Sequence, residues 1–176
     1  EVLYISAPLI PIDVLRLYDP VVRARFKECF FSQFVDVNNL KSCTPFALVA
    51  PRNYTFFNHS WTFDNWHKLT MPDMTNKIKK LGFEDVDVLF FDTVFQSVWT
   101  NIIKYQKCIT RLSDFNFGFD GFSPAARKHQ QLIIDKSDLL LSSSHKQNEE
   151  LSKGIGEKCL HLPNGVNVEM FRRTEK

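Results

Sequence analysis

Two runs decide how this chain folds: Ser137-Asp138-Leu139-Leu140-Leu141-Ser142-Ser143-Ser144 and, one short helical stretch later, Leu160-His161-Leu162-Pro163-Asn164-Gly165-Val166-Asn167-Val168-Glu169-Met170-Phe171. Each begins as an apolar segment of strand length and ends in small polar residues. In a parallel α/β sheet the carboxyl ends of strands line the ligand crevice, so these ends mark where a substrate is expected.

Working outward, further strands are read at Val2 to Pro8, at Phe46-Ala47-Leu48-Val49-Ala50, at Asp87-Val88-Leu89-Phe90-Phe91-Asp92 and at Lys107-Cys108-Ile109-Thr110-Arg111-Leu112. The first starts with no turn or cap before it, and the reading expects an earlier first strand. Helical stretches separate the runs. Ile12 to Phe31 has apolar residues on one helical face, with Pro20 as a break or kink. Trp61 to Leu81 reads as one long helix interrupted at Pro72, with Gly82 as its left-handed stop.

Val94, Phe95, Ile102 and Ile103 suggest another helix. Ser123 followed by Pro124 signals an N-cap and first-turn proline for a helix reaching about Asp135 or Lys136. Ser144 with Gln147 makes a capping box for a last helix that stops at Gly154. Strands alternating with helices predict an α/β fold, a Rossmann-like and mainly parallel sheet with helices on both faces. Right-handed crossovers then gather the strand C-termini along one edge.

Composition bounds the function. A chain of 176 residues with 44% hydrophobic content has the material for one core. Its 22 basic and 20 acidic residues give a formal charge of +2, which argues against nucleic acid as a partner. Aromatics are abundant, 17 of them Phe, and they cluster at Phe30, Phe31, Phe56 and Phe57. Cys29, Cys43, Cys108 and Cys159 form no C-x-x-C pair and read as reduced core thiols of a cytoplasmic protein. No apolar run approaches the roughly 18 residues of a membrane span, and no signal peptide is recognisable.

The order of these residues resembles the N-terminal domain of GT-B glycosyltransferases of the retaining family 4, especially bacterial members acting on surface polysaccharides. The resemblance spans Asp87 to Phe171 and is weak before it. Its most specific piece is Leu162-Pro163-Asn164-Gly165-Val166-Asn167, where family members typically carry Pro-Asn-Gly-Val-Asp; Asn167 stands in place of the usual Asp. In this sequence Asn164-Gly165 suits a tight turn with positive φ, and Phe171 suits packing of the returning chain on the domain.

The resemblance implies one half of a GT-B fold: residues 1–171 as the acceptor-side domain, lacking its first strand, and 172–176 as the start of an interdomain linker. A C-terminal donor domain would complete the enzyme, so the segment alone is expected to be inactive. No cofactor is implied; a nucleotide-sugar donor is the co-substrate. The partners implied are a glycan or lipid-linked acceptor, with no nucleic acid. The expected location is the cytoplasm, at the inner membrane face if contact with lipid occurs. The retaining reaction, as understood for the family, relies on the donor phosphate and front-face attack rather than a carboxylate pair.

The candidate substrate-binding residues are Asp92, Arg111, Asp114, Ser144, Asn164 and Gly165. Asp92 either accepts hydrogen bonds from sugar hydroxyls or caps the helix starting near Thr93. Asp114 either faces the acceptor, pairs with Arg111 or belongs to a turn. Ser144 caps its helix, whose free N–H groups suit an anion. The five histidines show no metal-binding spacing, and His161 reads as a core or edge histidine. No G-x-S-x-G surrounds Ser142 to Ser144.

Basic Arg16, Arg23, Arg25 and Lys27 form either a solvated helix face or an amphipathic surface that touches anionic lipid. Two rivals stand beside the transferase. One is a non-catalytic binding module or the acceptor subunit of a two-chain transferase. The other is a nicotinamide-dependent enzyme, opposed by the missing G-x-G-x-x-G.

Overall fold

The computed structural model describes residues 1–31, 35–37, 39–52, 57–112 and 123–165. Asp114, Val166, Asn167, Phe171 and the expected linker 172–176 lie outside those residues, so the expectations placed on them are not taken further.

The architecture is α/β and Rossmann-like, with a four-stranded parallel sheet at its centre. That sheet is built from β6 (Asp85–Phe91), β7 (Lys104–Leu112), β8 (Leu139–Ser142) and β9 (Cys159–His161), in spatial order β6-β7-β8-β9. All three pairings are parallel, with Phe91 beside Thr110, Leu112 beside Ser142, and Ser142 beside His161. The connections are a kinked 3-10 segment (Val94–Asn101) and two α-helices, here labelled α4 (Pro124–Lys136) and α5 (His145–Ile155). Neighbouring strands follow one another in sequence. Right-handed crossovers therefore lay all three connections on one face.

Side-chain alternation agrees with that placement. Phe91, Cys108, Thr110, Leu112, Leu140 and Ser142 point to the covered face and are buried. Leu112, Leu140 and Cys159 pack there against Ile134 of α4 and Leu151 of α5. On the other face Val88, Phe90 and Leu160 are 49%, 52% and 53% exposed. Half-open apolar side chains are unusual on a parallel sheet, whose faces are normally both covered.

Ahead of this sheet lie β1 (Val2–Ile5), α1 (Pro20–Phe31), β2 (Val35–Val37) and β3 (Leu40–Cys43), followed by β4 (Phe46–Ala47), α2 (Ser60–Asn65), β5 (Thr70–Met71) and α3 (Met74–Lys80). β1 pairs in parallel with β3, which also pairs antiparallel with β2. The strand expected at Phe46 to Ala50 is only two residues long and joins β5 instead, Phe46 opposite Met71. The neighbour of β1 is Leu40–Cys43, which carries no alternating pattern to announce it.

The single helix expected over Trp61 to Leu81 is a correction. It is divided into α2, a 3-10 turn (Trp66–Leu69), β5 and α3. Pro72 has no N–H to donate and pushes the residue before it towards extended backbone, so Met71 belongs to a strand rather than a helix. Asp73 restarts the helix, its side chain accepting from Asn76 N at 3.1 Å. Gly82, at φ 79°, stops it as expected. Pro20 opens α1 rather than kinking one long helix; a 3-10 turn (Pro11–Arg16) precedes it.

One core joins both halves. Ile10, Cys43, Trp66, Met74 and Ile78 share it with Phe91, Trp99, Cys108, Ala126 and Ile133. Trp66 and Trp99 meet edge to face at 5.4 Å between centroids, a favoured aromatic geometry. All four cysteines are free and buried, as expected. Burial pushes the Cys29 thiol up to about 11 and raises the other three. At neutral pH they are therefore inert thiols rather than thiolate nucleophiles. No helix among the described residues is long and apolar enough to cross a membrane.

Candidate functional site

The C-terminal edge of the four-stranded sheet gathers three of the residues singled out from sequence. Asp92 directly follows β6, Arg111 is the penultimate residue of β7, and Asn164 lies three positions beyond β9. Parallel pairing forces this meeting, because strands that run the same way end on the same side. Arg111 Nη1 lies 3.4 Å from Asp92 Oδ1, and Arg111 Nη2 donates to Asn164 Oδ1 at 2.5 Å. A guanidinium is suited to this task, since its planar fork addresses two acceptors at once.

The cluster is open to solvent. The Asp92 side chain is 57% exposed and that of Arg111 30%, so their ion pair contributes only about 0–1 kcal/mol to stability. Such an arrangement is better explained by what it presents than by what it stabilises. It offers a carboxylate, a cationic donor and an amide on one rim, a set able to hydrogen-bond the hydroxyls of a polar ligand. By strand alternation Arg111 also shares the open face with Val88, Phe90 and Leu160. The polar rim thus borders an apolar floor.

Asp92 caps nothing here. Thr93 caps the following 3-10 segment, its Oγ1 accepting from Phe95 N at 3.4 Å, which leaves the Asp92 carboxylate to Arg111. The expected positive φ at Asn164-Gly165 is also a correction. Among described glycines only Gly82 adopts it, and a Cβ built on Gly165 meets nothing within 4 Å. Asn164 is used for its side chain rather than for turn geometry.

Ser144 is exposed at the start of α5, two residues past β8, and its carbonyl accepts from Asn148 N at 2.9 Å and from Ser142 Oγ at 3.0 Å. Buried Gln147 turns its Oε1 towards Ser142 Oγ at 3.1 Å. At this edge sequence reasoning missed one pair. His145 and His161 stack with centroids 3.7 Å apart and planes 30° from parallel. The signal is weak in sequence, since the two meet only once β9 pairs with β8.

A second constellation looks catalytic and is not. Ser97 Oγ lies 2.8 Å from His129 Nδ1, and His129 Nε2 is 3.6 Å from Asp64 Oδ1. Ser97 and His129 are only 1% and 2% exposed, so no substrate reaches the hydroxyl. Burial holds the His129 pKa below its usual value, opposed by Asp64. Its ring stacks on Phe63 at 4.5 Å, which makes it a core residue carrying one satisfied nitrogen. No group of three or more His, Cys, Asp or Glu able to hold a metal occurs among the described residues.

Fold and edge together define an α/β protein of Rossmann-like architecture with a polar cluster at the carboxyl ends of a parallel sheet. No family model matches the chain, and no curated protein matches it in sequence.

Proposed function

We propose that this chain is the acceptor-side half of a retaining glycosyltransferase with two Rossmann-like domains. The complete enzyme would pass a hexosyl group from a nucleotide sugar to a glycan or lipid-linked acceptor in cell-surface polysaccharide synthesis. The observation that carries the reading is the convergence of Asp92, Arg111 and Asn164 on one sheet edge. Such a rim supplies position and hydrogen bonds to an acceptor rather than a base or a nucleophile. Ser144 and Gly165 belong to the same edge by their place after β8 and β9.

The test uses the whole protein, including whatever follows Lys176. Nucleotide-sugar binding should require the downstream sequence, and Arg111→Met should depress transfer while leaving donor binding intact. Tight nucleotide binding by residues 1–176 alone would overturn the reading.

A second reading is an acceptor subunit of a two-chain transferase or a non-catalytic binding module; the half-exposed apolar face at Val88, Phe90 and Leu160 suits the subunit, whereas a self-contained module would carry polar residues there. A module of that kind would bind its glycan with no donor domain on the same polypeptide. Transfer activity of the whole protein by itself excludes it.

A further inference from the structure

Sulfur is unevenly placed in this chain. Of its four cysteines and three methionines, Cys29, Cys43, Met71 and Met74 gather where α1, the end of β3 and the start of α3 come together. Local structure sets the inner pair. Cys43 is the last residue of β3, and alternation turns it away from the Ser42 side and into the core. Met74 is the first residue of α3, placed there by the Asp73 cap. Its Sδ lies 3.7 Å from Cys43 Sγ, with Met74 1% and Cys43 2% exposed.

A groove of about 640 Å³ opens beside this pair, between α1 and α3. Cys29 and Met71 line it together with Lys77, whose Nζ lies 3.7 Å from Cys43 Sγ, so one side chain joins the groove to the buried sulfurs. Met71, 54% exposed, stands at the mouth. From the other side α1 is pinned against β3. Glu28, next to Cys29, accepts from Ser42 Oγ and Thr44 Oγ1, the residues that flank Cys43, each at 2.9 Å. The two thiols feel one another, since Cys43 adds to the effect of burial in raising the Cys29 pKa.

Two sulfurs bound to one metal at about 2.3 Å in tetrahedral geometry stand about 3.8 Å apart, close to the Cys43–Met74 separation. Thiolate and thioether donors together select Cu(I) over harder ions. The groove offers those harder ions little: no histidine lines it among the described residues, and its Asp73 carboxylate accepts from Asn76 at 3.1 Å and 2.7 Å. Charge also balances. Two thiolates and one monovalent cation sum to −1, which the Lys77 ammonium beside Cys43 cancels. Burial keeps both thiols protonated at neutral pH, and a bound cation displaces those protons as its bonds to sulfur form.

We propose that Cys29, Cys43 and Met74 form a binding site for one soft monovalent metal ion of the Cu(I) class, with Met71 as the entry ligand at the groove mouth. No oxidation state changes on binding. Two S–H bonds are exchanged for two metal–sulfur bonds, Met74 donates a lone pair, and two protons leave to solvent. The site is independent of the transferase reading.

The test is anaerobic titration of the full chain with Cu(I) buffered by bathocuproine disulfonate, read from the chelator's colour and from thiolate-to-copper charge-transfer absorption. One ion per chain is expected. Cys29→Ser and Cys43→Ser should each lower affinity by at least about a hundredfold, and Met74→Leu by about tenfold. Cys159→Ser, in β9 of the other sheet, should bind like the parent. Copper should raise the melting temperature, because it binds the folded chain. Circular dichroism checks that each variant keeps the parent fold; where a serine variant does not, Met74→Leu, which conserves side-chain volume, decides. No binding against the chelator, parent-like binding by Met74→Leu or by a folded serine variant, loss of binding in Cys159→Ser, or a melting temperature lowered by copper would overturn the proposal.

Discussion

Arg111 and Asn164, 53 positions apart in sequence, are joined by a 2.5 Å hydrogen bond from Nη2 to Oδ1. The same guanidinium holds Asp92 from the other side at 3.4 Å. One side chain thereby ties together the ends of the first, second and last strands of the parallel sheet.

Because this cluster is largely exposed, its removal should affect ligand binding much more than folding. Arg111→Lys keeps the charge but loses the fork, and an ammonium cannot span both acceptors in the same geometry. Acceptor binding should fall at least tenfold, while stability changes by less than about 1 kcal/mol. Calorimetric titration with acceptor glycans and urea unfolding measure the two. A large stability loss with unchanged binding would make the cluster structural.

The two faces of the sheet predict opposite sensitivities. Leu140 is fully buried at 0% exposure among Leu112, Ile134, Leu151 and Cys159, so Leu140→Ala should cost about 2–5 kcal/mol. Phe90 is half exposed on the open face, and Phe90→Ser should stay within about 1 kcal/mol. Equilibrium urea unfolding of the pair checks the contrast; equal losses would mean that the open face is covered.

Gln130 lies in the core at 1% exposure, and among the described residues neither its amide nitrogen nor its oxygen has a hydrogen-bond partner. A buried unmatched polar group costs about 1–3 kcal/mol, which an apolar side chain of similar length avoids. Gln130→Met should therefore raise the unfolding midpoint. A lowered midpoint would show that the amide is satisfied in solution.

Acid should weaken the fold before the carboxylates titrate. Burial depresses the pKa values of His129 and His67 in the folded protein. The unfolded chain then takes up protons near about pH 6.5 while the folded one does not, so unfolding is favoured as pH falls through that value. The contribution is fully present above it and is lost towards the lower folded values. Melting temperature should drop between neutral pH and about pH 5, and His129→Gln should flatten the slope. A slope unchanged by that substitution would assign the acid sensitivity elsewhere.

Much of the second half was legible because its signals are local. Ser123 caps α4 with its Oγ accepting from Ala126 N at 3.1 Å, Pro124 follows at the first helical position, and Gly82 closes α3, each as its residue type dictates. The apolar runs at Val88 to Phe91 and Leu139 to Leu141 are strands because no helix of that length stands between turn signals. Phe46 and Met71, by contrast, meet through a pairing 25 residues apart that no local pattern encodes. The helix expected over Trp61 to Leu81 therefore breaks at Met71, where that pairing and the missing N–H of Pro72 favour a strand.

At the site, residue types were readable and partnerships were not. Residue type alone offers Asp92 as a cap, and Thr93 holds that role. Arg111 found its acid on the neighbouring strand end, which depends on the register of β6 against β7. The His145–His161 stack likewise depends on β9 lying beside β8.

Backbone-amide NMR of the chain, titrated in turn with acceptor oligosaccharides and with nucleotide, tests the central claim most directly. Saccharides should shift the resonances of Asp92, Arg111 and Asn164 together, and nucleotide should leave them still. Saturable shifts of those residues with nucleotide alone, or saccharide shifts confined to another surface, would contradict the account.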